Sequence, residues 1–521
     1  MTREDQLKRL NGEYNNCDVF IIGGGATGLG TAVDATLRGY KTVAFEQSDF
    51  AKSSSSKSTK LVHGGLRYMQ MGDIKLVKEA LQERYYLLEN APHICKKQQF
   101  VVPVYSYTQM AYYLIGLKLY NLLSGKFSLG KSFFISKKKL LKSMPNIKAE
   151  NLKGGVVYFD GQFDDSRLAV NLAQTAMQNK ALVFNYMEVI NIECCPYGYK
   201  IEAIDKLTDK KYTLLTRVVI NATGVFADNI LNIVDAKHKP IITPSRGSHI
   251  VISKKHMPIE EALLIPKTED GRILFAIPWN NVIIVGTTDI PADKIVLEPF
   301  PTKEEIDFIL ETLNKYTVNK IENKDILSVF SGLRPLINPN NKKLIRQTKK
   351  ITREHKIMTS KSGIISIIGG KWTTYRKMAE DVINVAIQTG KIANKDCRTR
   401  HYPISGFLPF INLNKYDFSC YGSYHSKIET LIKNNPEYNT KLHPDMPYLK
   451  GEVIWSVTNE FAVTVEDVLA RRLRALYINA RASIQVAPIV AKLMAGILSK
   501  DEKWEANQIK EYTKLAENYL V

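Results

Sequence analysis

Cysteine is scarce and scattered in this chain. Six of 521 residues are cysteine: Cys17, Cys95, the adjacent Cys194 and Cys195, Cys397 and Cys420. No C-x-x-C pair occurs, so neither a zinc site nor a disulfide framework is expected, and no metal is assigned. Cys194-Cys195 reads as two solitary thiols in a strand, with a strained redox disulfide as the alternative. Long apolar runs are also missing. No stretch approaches the roughly 18 uninterrupted apolar residues of a membrane span. The amino terminus, Met1-Thr-Arg-Glu-Asp-Gln6, carries acids and no apolar core, so it reads neither as a signal peptide nor as a mitochondrial presequence. No D-x-[DN]-x-[DN]-G loop occurs, which excludes calcium control through an EF-hand in this sequence. Acidic residues are in deficit, 52 against 72 Lys and Arg, for a net charge of +20. That excess favours an anionic partner: nucleic acid, acidic lipid or a phosphorylated substrate. An RNA-modifying role would need basic stripes interleaved with aromatics and a reactive cysteine. Neither stands near the motifs below, so no nucleic acid is expected, and most lysines read as a solvated surface.

Against these absences stands one dense motif. The apolar run Val19–Ile22 enters Gly23-x-Gly25-x-x-Gly28, and small or apolar residues then recur at helical spacing (Ala26, Leu29, Ala32, Val33, Leu37). The pattern predicts strand, tight turn and helix. Gly23 allows the turn, Gly25 lets the backbone approach a pyrophosphate, and Gly28 lets helix and strand pack closely. Ala26 and Thr27 open the helix, whose free N–H groups face the phosphates. A second strand, Lys41–Phe45, ends on Glu46, about twenty positions past the glycines, where a ribose hydroxyl requires an acid. Dinucleotide binding follows; a plain glycine turn opening an ordinary helix is the alternative.

Further along, the Ser-rich stretch 47–60 places hydroxyls and ammonium groups (Ser58, Thr59, Lys60) where phosphate is expected. His63-Gly64-Gly65-Leu66-Arg67-Tyr68 allows a backbone to lie against something flat or anionic. A helix is predicted over 73–90. Residues 107–142 alternate apolar blocks, tyrosines and lysines: Tyr112–Leu123, Phe133–Ile135, then Lys131 and Lys137–Lys139. This fits a segment lying in a membrane interface; an internal helical hairpin is the alternative. A strand from Gly155 to Asp160 enters a helix to about 179. Strand-like runs follow at 182–193, 198–204 and 212–215, and Arg217–Gly224 reads as a further buried strand ending on the turn Ala222-Thr223-Gly224. Short apolar runs with turn signals over 241–300 predict an antiparallel sheet. A helix is predicted at 303–315. Gly363–Ile368 is a buried strand entering Gly369-Gly370-Lys371-Trp-Thr373-Thr374-Tyr-Arg376 and a helix to about 389. After Pro403 the pattern is helical, with Arg471-Arg-Leu-Arg474 as its most charged cluster.

The implied fold is α/β: a discontinuous Rossmann-like FAD-binding domain, an antiparallel-sheet substrate domain and an α-helical C-terminal cap. The boundaries predicted are 1–98, 155–235 and 351–395 for the FAD domain, 99–154 for a substrate or membrane-docking segment, 236–350 for the substrate domain and 396–521 for the helical domain.

Taken together, these motifs closely resemble the FAD-dependent glycerol-3-phosphate dehydrogenases. The carriers also include Ala91-Pro-His93, Gly247-Ser-His249, Gly286-Thr-Thr-Asp289, Ser331-Gly-Leu-Arg334-Pro, Ile351-Thr-Arg353 and Gly369–Arg376, in family order. The mitochondrial-type branch is the nearest; Val225-Phe226 departs from it, where relatives often have proline. The resemblance implies oxidation of sn-glycerol 3-phosphate to dihydroxyacetone phosphate, with electrons passed to a membrane quinone. It assigns Arg67, Tyr68, Arg353 and Lys371 to the phosphate, and arginine's fork suits that group. His249 is the candidate base, because imidazole exchanges protons near neutral pH, with a satisfied core histidine as the alternative. Arg334 is assigned to hold the C2 hydroxyl and stabilise charge on its oxygen. His63 is expected against the flavin, and the helix opening near Thr373 at its pyrimidine edge. The expected partners are the substrate, quinone and an anionic lipid surface; a homodimer is compatible with the sequence. The expected location is peripheral, on the cytoplasmic face of a bacterial inner membrane, or on the mitochondrial inner membrane if a presequence is missing from this chain. An oxidase of the same substrate, passing electrons to oxygen, shares the flavin-side motifs, and a non-catalytic flavoprotein would not need the Arg67, His249, Arg334 and Lys371 set.

Overall fold

Two sheets divide the chain between them. The computed structural model describes residues 2–70, 72–266, 268, 271–338, 354–409 and 418–521, with Arg67 and Gln70 as main chain alone. The first sheet has the order Lys356–Thr359, Ile365–Ile368, Lys210–Asn221, Asn16–Ile22, Thr42–Phe45, Leu182–Phe184. From Ile365–Ile368 onward the pairing is parallel. Val19, Phe20 and Ile21 are all fully buried, because a parallel sheet is covered on both faces and its strands lose polar alternation. On one face the helix Ala26–Leu37 packs against Asp165–Gln178 and Tyr375–Gln388. The hairpin Met187–Cys195 and Gly198–Asp205 adds antiparallel strands beyond Lys210–Asn221. That last strand is continuous, joining what the sequence suggested as two runs.

The second sheet runs Ile290–Pro291, Ile242–Ser253, Val282–Gly286, Leu274–Trp279, Ala262–Ile265, Cys95–Val104, Gly154–Phe163, Leu61–Val62. Ile326–Ile337 lies antiparallel beside Ile242–Ser253. The antiparallel sheet expected over 241–300 is therefore present, but it also recruits strands from the first third of the chain. Gly154–Phe163 is the correction here: it belongs to this sheet, paired with Cys95–Val104, and not to the nucleotide sheet. Nine of its ten residues are buried, so its sequence has the continuous apolar look of a parallel strand.

The C-terminal part is helical, as expected. Its helix Ala480–Leu498 is the one among the described residues long and apolar enough to cross a membrane, but Val486, Ala487, Val490, Ala491 and Met494 are buried in the core of that domain. Arg471–Arg474 joins this domain to the nucleotide fold. Arg471 Nε and Arg472 Nη1 donate to Asp49 Oδ2 at 2.5 and 2.8 Å, and Arg472 Nη2 donates to Oδ1 at 2.8 Å. Arg474 Nη2 donates to Asp165 Oδ1 at 3.1 Å and to the Ser56 carbonyl at 3.0 Å. All five side chains are buried. Burial alone would raise the Asp49 carboxyl; Arg472 and Arg471 overcome it and hold the group well below the usual carboxylate range.

Candidate active site

Between the sheets lies a cavity of about 600 Å³, lined from both. At its nucleotide end the fingerprint behaves sterically as the sequence predicted. Gly23 has φ +112°, a left-handed conformation that suits glycine. A Cβ on Gly28 would lie 1.9 Å from the Gly23 carbonyl oxygen, so the helix touches the turn; Gly28 itself does not line the cavity. Gly23, Gly25, Ala26, Thr27 and Glu46 do. Glu46 accepts from Gly24 N–H at 2.6 Å and Ser48 N–H at 2.9 Å. Burial raises its carboxyl, and these two donors oppose the shift.

Ser55 was not singled out in the sequence, yet it completes this end. Its Oγ accepts the Ala26 N–H at 3.0 Å, and its carbonyl accepts Trp372 Nε1–H at 2.8 Å. Ser53 and Ser54 line the same wall. The only signal for them was the serine run itself.

Ser58 and Thr59 line the cavity, and Lys60 does not. Lys60 turns into the interior and pairs with Asp165 Oδ2 at 2.6 Å, ringed by Trp279, Phe330 and Tyr477. Burial, with Arg474 adding, pushes its ammonium down to about 7 against the pull of Asp165. A fully buried cation already paired with a carboxylate is not placed to receive phosphate. Gly64 is likewise off the wall, its N–H donating to Tyr120 Oη at 2.8 Å. His63 and Gly65 line the cavity, and His63 N–H donates to Thr373 Oγ1 at 3.1 Å. Ala222, Thr223, Gly224, Gly369, Gly370 and Thr373 complete this wall, while Thr374 is buried behind it at the start of the helix Tyr375–Gln388.

The opposite wall comes from the second sheet. His249 lies opposite Phe330, Gly247 opposite Gly332 and Ser245 opposite Arg334, so His249 and Arg334 share one face. Glycines give both side chains room: a Cβ on Gly247 would lie 2.1 Å from Arg334 Nη2, and one on Gly286 2.4 Å from His249 Cδ2. Arg334 Nη2 donates to Thr287 Oγ1 at 3.1 Å and to the Thr288 carbonyl at 3.0 Å, and Nη1 lies 3.6 Å from Asp289. The His249 ring stacks on Phe330 at 4.7 Å, with Nε2 2.9 Å from Thr59 Oγ1. Burial, then the positive Arg334 and Lys60, hold the imidazole well below its ordinary 6.5; Asp165 opposes them. It rests neutral at physiological pH. Lys371 Nζ sits 3.8 Å over the Tyr68 ring, and both residues line the cavity. Arg67 lies on the short helix Leu66–Gln70, and Arg353 falls outside the described residues.

A glycine turn and a helix N-terminus on one wall of the cavity make a dinucleotide cradle, and His249, Arg334 and Lys371 line the same cavity. Comparison with known proteins decides what this serves. A family profile described as FAD dependent oxidoreductase matches residues 18–376, and one described as the C-terminal domain of alpha-glycerophosphate oxidase matches residues 414–505. The chain is 37% identical to a probable mitochondrial glycerol-3-phosphate dehydrogenase of Dictyostelium discoideum, over 99% of this chain and 89% of that protein. It is 36% identical to the mitochondrial glycerol-3-phosphate dehydrogenase of Homo sapiens, over 98% and 75%. The chain belongs to the FAD-dependent glycerol-3-phosphate dehydrogenase family. A solved structure of the glycerol-3-phosphate dehydrogenase from Bacillus halodurans, complexed with FAD, superimposes with a TM-score of 0.81 at 28% identity, covering 99% of this chain and 97% of that one. The family's cofactor is FAD, and the cradle of this dehydrogenase fits it: only glycine is tolerated at the tight Gly23–Gly28 contact, and the helix N-terminus beside it is open to the cavity.

Proposed function

We propose that the chain oxidises sn-glycerol 3-phosphate at C2 to dihydroxyacetone phosphate and passes the electrons to a quinone in the membrane to which it docks. FAD, when bound, supplies the hydride acceptor. The chain's own residues bind, orient and deprotonate. Lys371 and Tyr68 meet the phosphate, with Arg67 and Arg353 assigned to it by the family resemblance. Arg334 holds the C2 oxygen and stabilises negative charge growing there. His249, neutral at rest, takes the hydroxyl proton. The observation that carries this reading is that the His249 imidazole and the Arg334 guanidinium share one face of the second sheet and line the same cavity as the glycine turns. Anaerobic mixing with glycerol 3-phosphate should bleach the flavin, and glycerol should not. Equal bleaching by both would end the phosphate assignment.

Docking is supported by the helix Tyr107–Ser124. Tyr112, Ile115, Leu119 and Leu122 recur along one side of it and are 62, 68, 46 and 75% exposed, whereas Leu117 and Tyr120 on the other side are buried. This is the pattern of an interfacial helix, and Lys118 on it and Lys126 just after it are exposed; Lys137, Lys138 and Lys139 are exposed too, but they open a helix that packs through Leu140 on the other face of the sheet. Leu123 turns inward, against the cluster of Val77 and Leu81. Behind the helix, Phe100, Tyr158, Leu264 and Phe275 line an apolar part of the cavity, which supports access for a lipid-soluble acceptor. Peroxide formation without quinone would favour the oxidase instead, and the match to an oxidase C-terminal domain keeps that measurement necessary.

A further inference from the structure

We propose that Thr59 is a positioning residue for His249: its hydroxyl accepts the Nε2–H of the neutral ring and so leaves the lone pair on Nδ1. The inference rests on the reading of His249 as the proton acceptor. Thr59 Oγ1 is 2.9 Å from His249 Nε2. The ring is held in place: Phe330 stacks on it at an interplanar angle of 14°, and its Cδ2 edge fills the space that a Cβ on residue 286 would need. Nδ1 is buried and has no hydrogen-bond partner among the described residues. Buried polar atoms almost always have one, so the partner expected at Nδ1 is the hydroxyl of a ligand in the cavity that His249 lines. A neutral imidazole has one donor and one acceptor nitrogen, and the bond made by one fixes the role of the other. If Nδ1 is to accept the proton, Nε2 must carry a hydrogen, and Thr59 is its acceptor.

The chain around Thr59 is built to present that hydroxyl. Ser58 and Lys60, its two neighbours, are both tied to Asp165 Oδ2: Ser58 through its Oγ at 2.6 Å and its N–H at 3.1 Å, Lys60 through Nζ at 2.6 Å. Lys60 takes φ +60° to make this turn. Two anchors on one carboxylate pin the main chain on either side of Thr59. The charged groups facing the ring are Arg334 on the neighbouring strand, Lys60, and Asp165 on the helix Asp165–Gln178. In the reaction the C2 O–H bond breaks with its electron pair left on the oxygen that Arg334 holds, the proton forms a bond to Nδ1, and the Nε2–H remains on nitrogen, donating to Thr59 Oγ1.

The test compares FAD-loaded wild type with Thr59→Val, Thr59→Ser and His249→Gln. Four quantities are read: FAD content, the rate of anaerobic flavin reduction against pH, KM, and the His249 tautomer by nitrogen-15 NMR, assigned by the signal lost in His249→Gln. Misplacing a general base forfeits part of its roughly 10²–10⁴-fold contribution, so Thr59→Val should slow reduction by about 30-fold with FAD and KM little changed. Thr59→Ser should restore the rate to within about threefold. The wild-type ring should carry its hydrogen on Nε2, and the valine variant should lose that preference. A valine variant with wild-type rate and tautomer, beside a slow His249→Gln, overturns the role of Thr59 alone. Loss of FAD in Thr59→Val, or failure of serine to rescue, also overturns it. A His249→Gln enzyme as fast as wild type removes the base reading, and this inference with it.

Discussion

Replacing Ile115, Leu119 and Leu122 together with serine should detach the protein from membranes without unfolding it. The three side chains together expose about two residues' worth of apolar surface. Burying one such side chain fully is worth about 1.5–3 kcal/mol. If roughly half of the exposed surface enters the interface, the change removes about 1.5–3 kcal/mol, or ~10–150-fold in the partition constant. Exposed substitutions of this kind usually shift stability by under about 0.5 kcal/mol, so thermal unfolding should barely move. Sedimentation with liposomes containing anionic lipid measures the binding. It should weaken with salt, because each nearby lysine contributes about 1 kcal/mol through a screened field. Activity with a long-tail quinone should fall while reduction of a soluble dye persists. Undiminished liposome binding, or loss of both activities together, would refute the docking face.

Gly28→Ala should abolish FAD retention, read as the flavin-to-protein absorbance ratio, since its Cβ would sit 1.9 Å from the Gly23 carbonyl; a fully loaded variant would show that the turn yields. Lys371→Met should leave FAD bound and raise KM for glycerol 3-phosphate about 10–100-fold in steady-state assays, the equivalent of a charge-assisted bond of about 1.5–3 kcal/mol. Asp49→Asn strands two buried arginines and should cost about 3–5 kcal/mol in denaturant unfolding. Asp49's folded carboxyl is depressed, so its contribution is present above the unfolded value near 3.9 and is lost as pH falls below it; the Asn variant should lose that part of the acid dependence.

What the sequence made legible was local. The glycine fingerprint, the helix behind it and the acid at Glu46 lie within a single βαβ reach, so spacing alone identified them. The second sheet was legible where hairpins follow one another, over 241–300, and illegible where Gly154–Phe163 joins it from afar: nothing in a buried strand's composition names its neighbour. Lys60 resembled a phosphate ligand because it sits among serines in a motif, and only the fold reveals Asp165 on its other side, 105 positions away. The Arg471–Arg474 cluster stood out only as the most charged part of the C-terminal helical pattern, with no partner in view, for the same reason. Its partners Asp49 and Asp165 are 422 and 309 positions distant, and no periodicity connects them. Ser55 lacked a distinguishing signal within a run of like residues.

The tie between Arg474 and Asp165 has a reach beyond holding two domains together. Asp165 turns one oxygen to Arg474 and the other to Ser58 and Lys60, the residues that flank Thr59. A guanidinium more than 400 residues downstream thus sets the tension on the loop beneath the histidine. Substitution of Arg474 would then cost stability, as any broken buried ion pair does, and would also loosen the residues that flank Thr59. One family match ends at residue 376 and the other begins at 414, but a gene cut between them would separate the loop from the arginine that holds it.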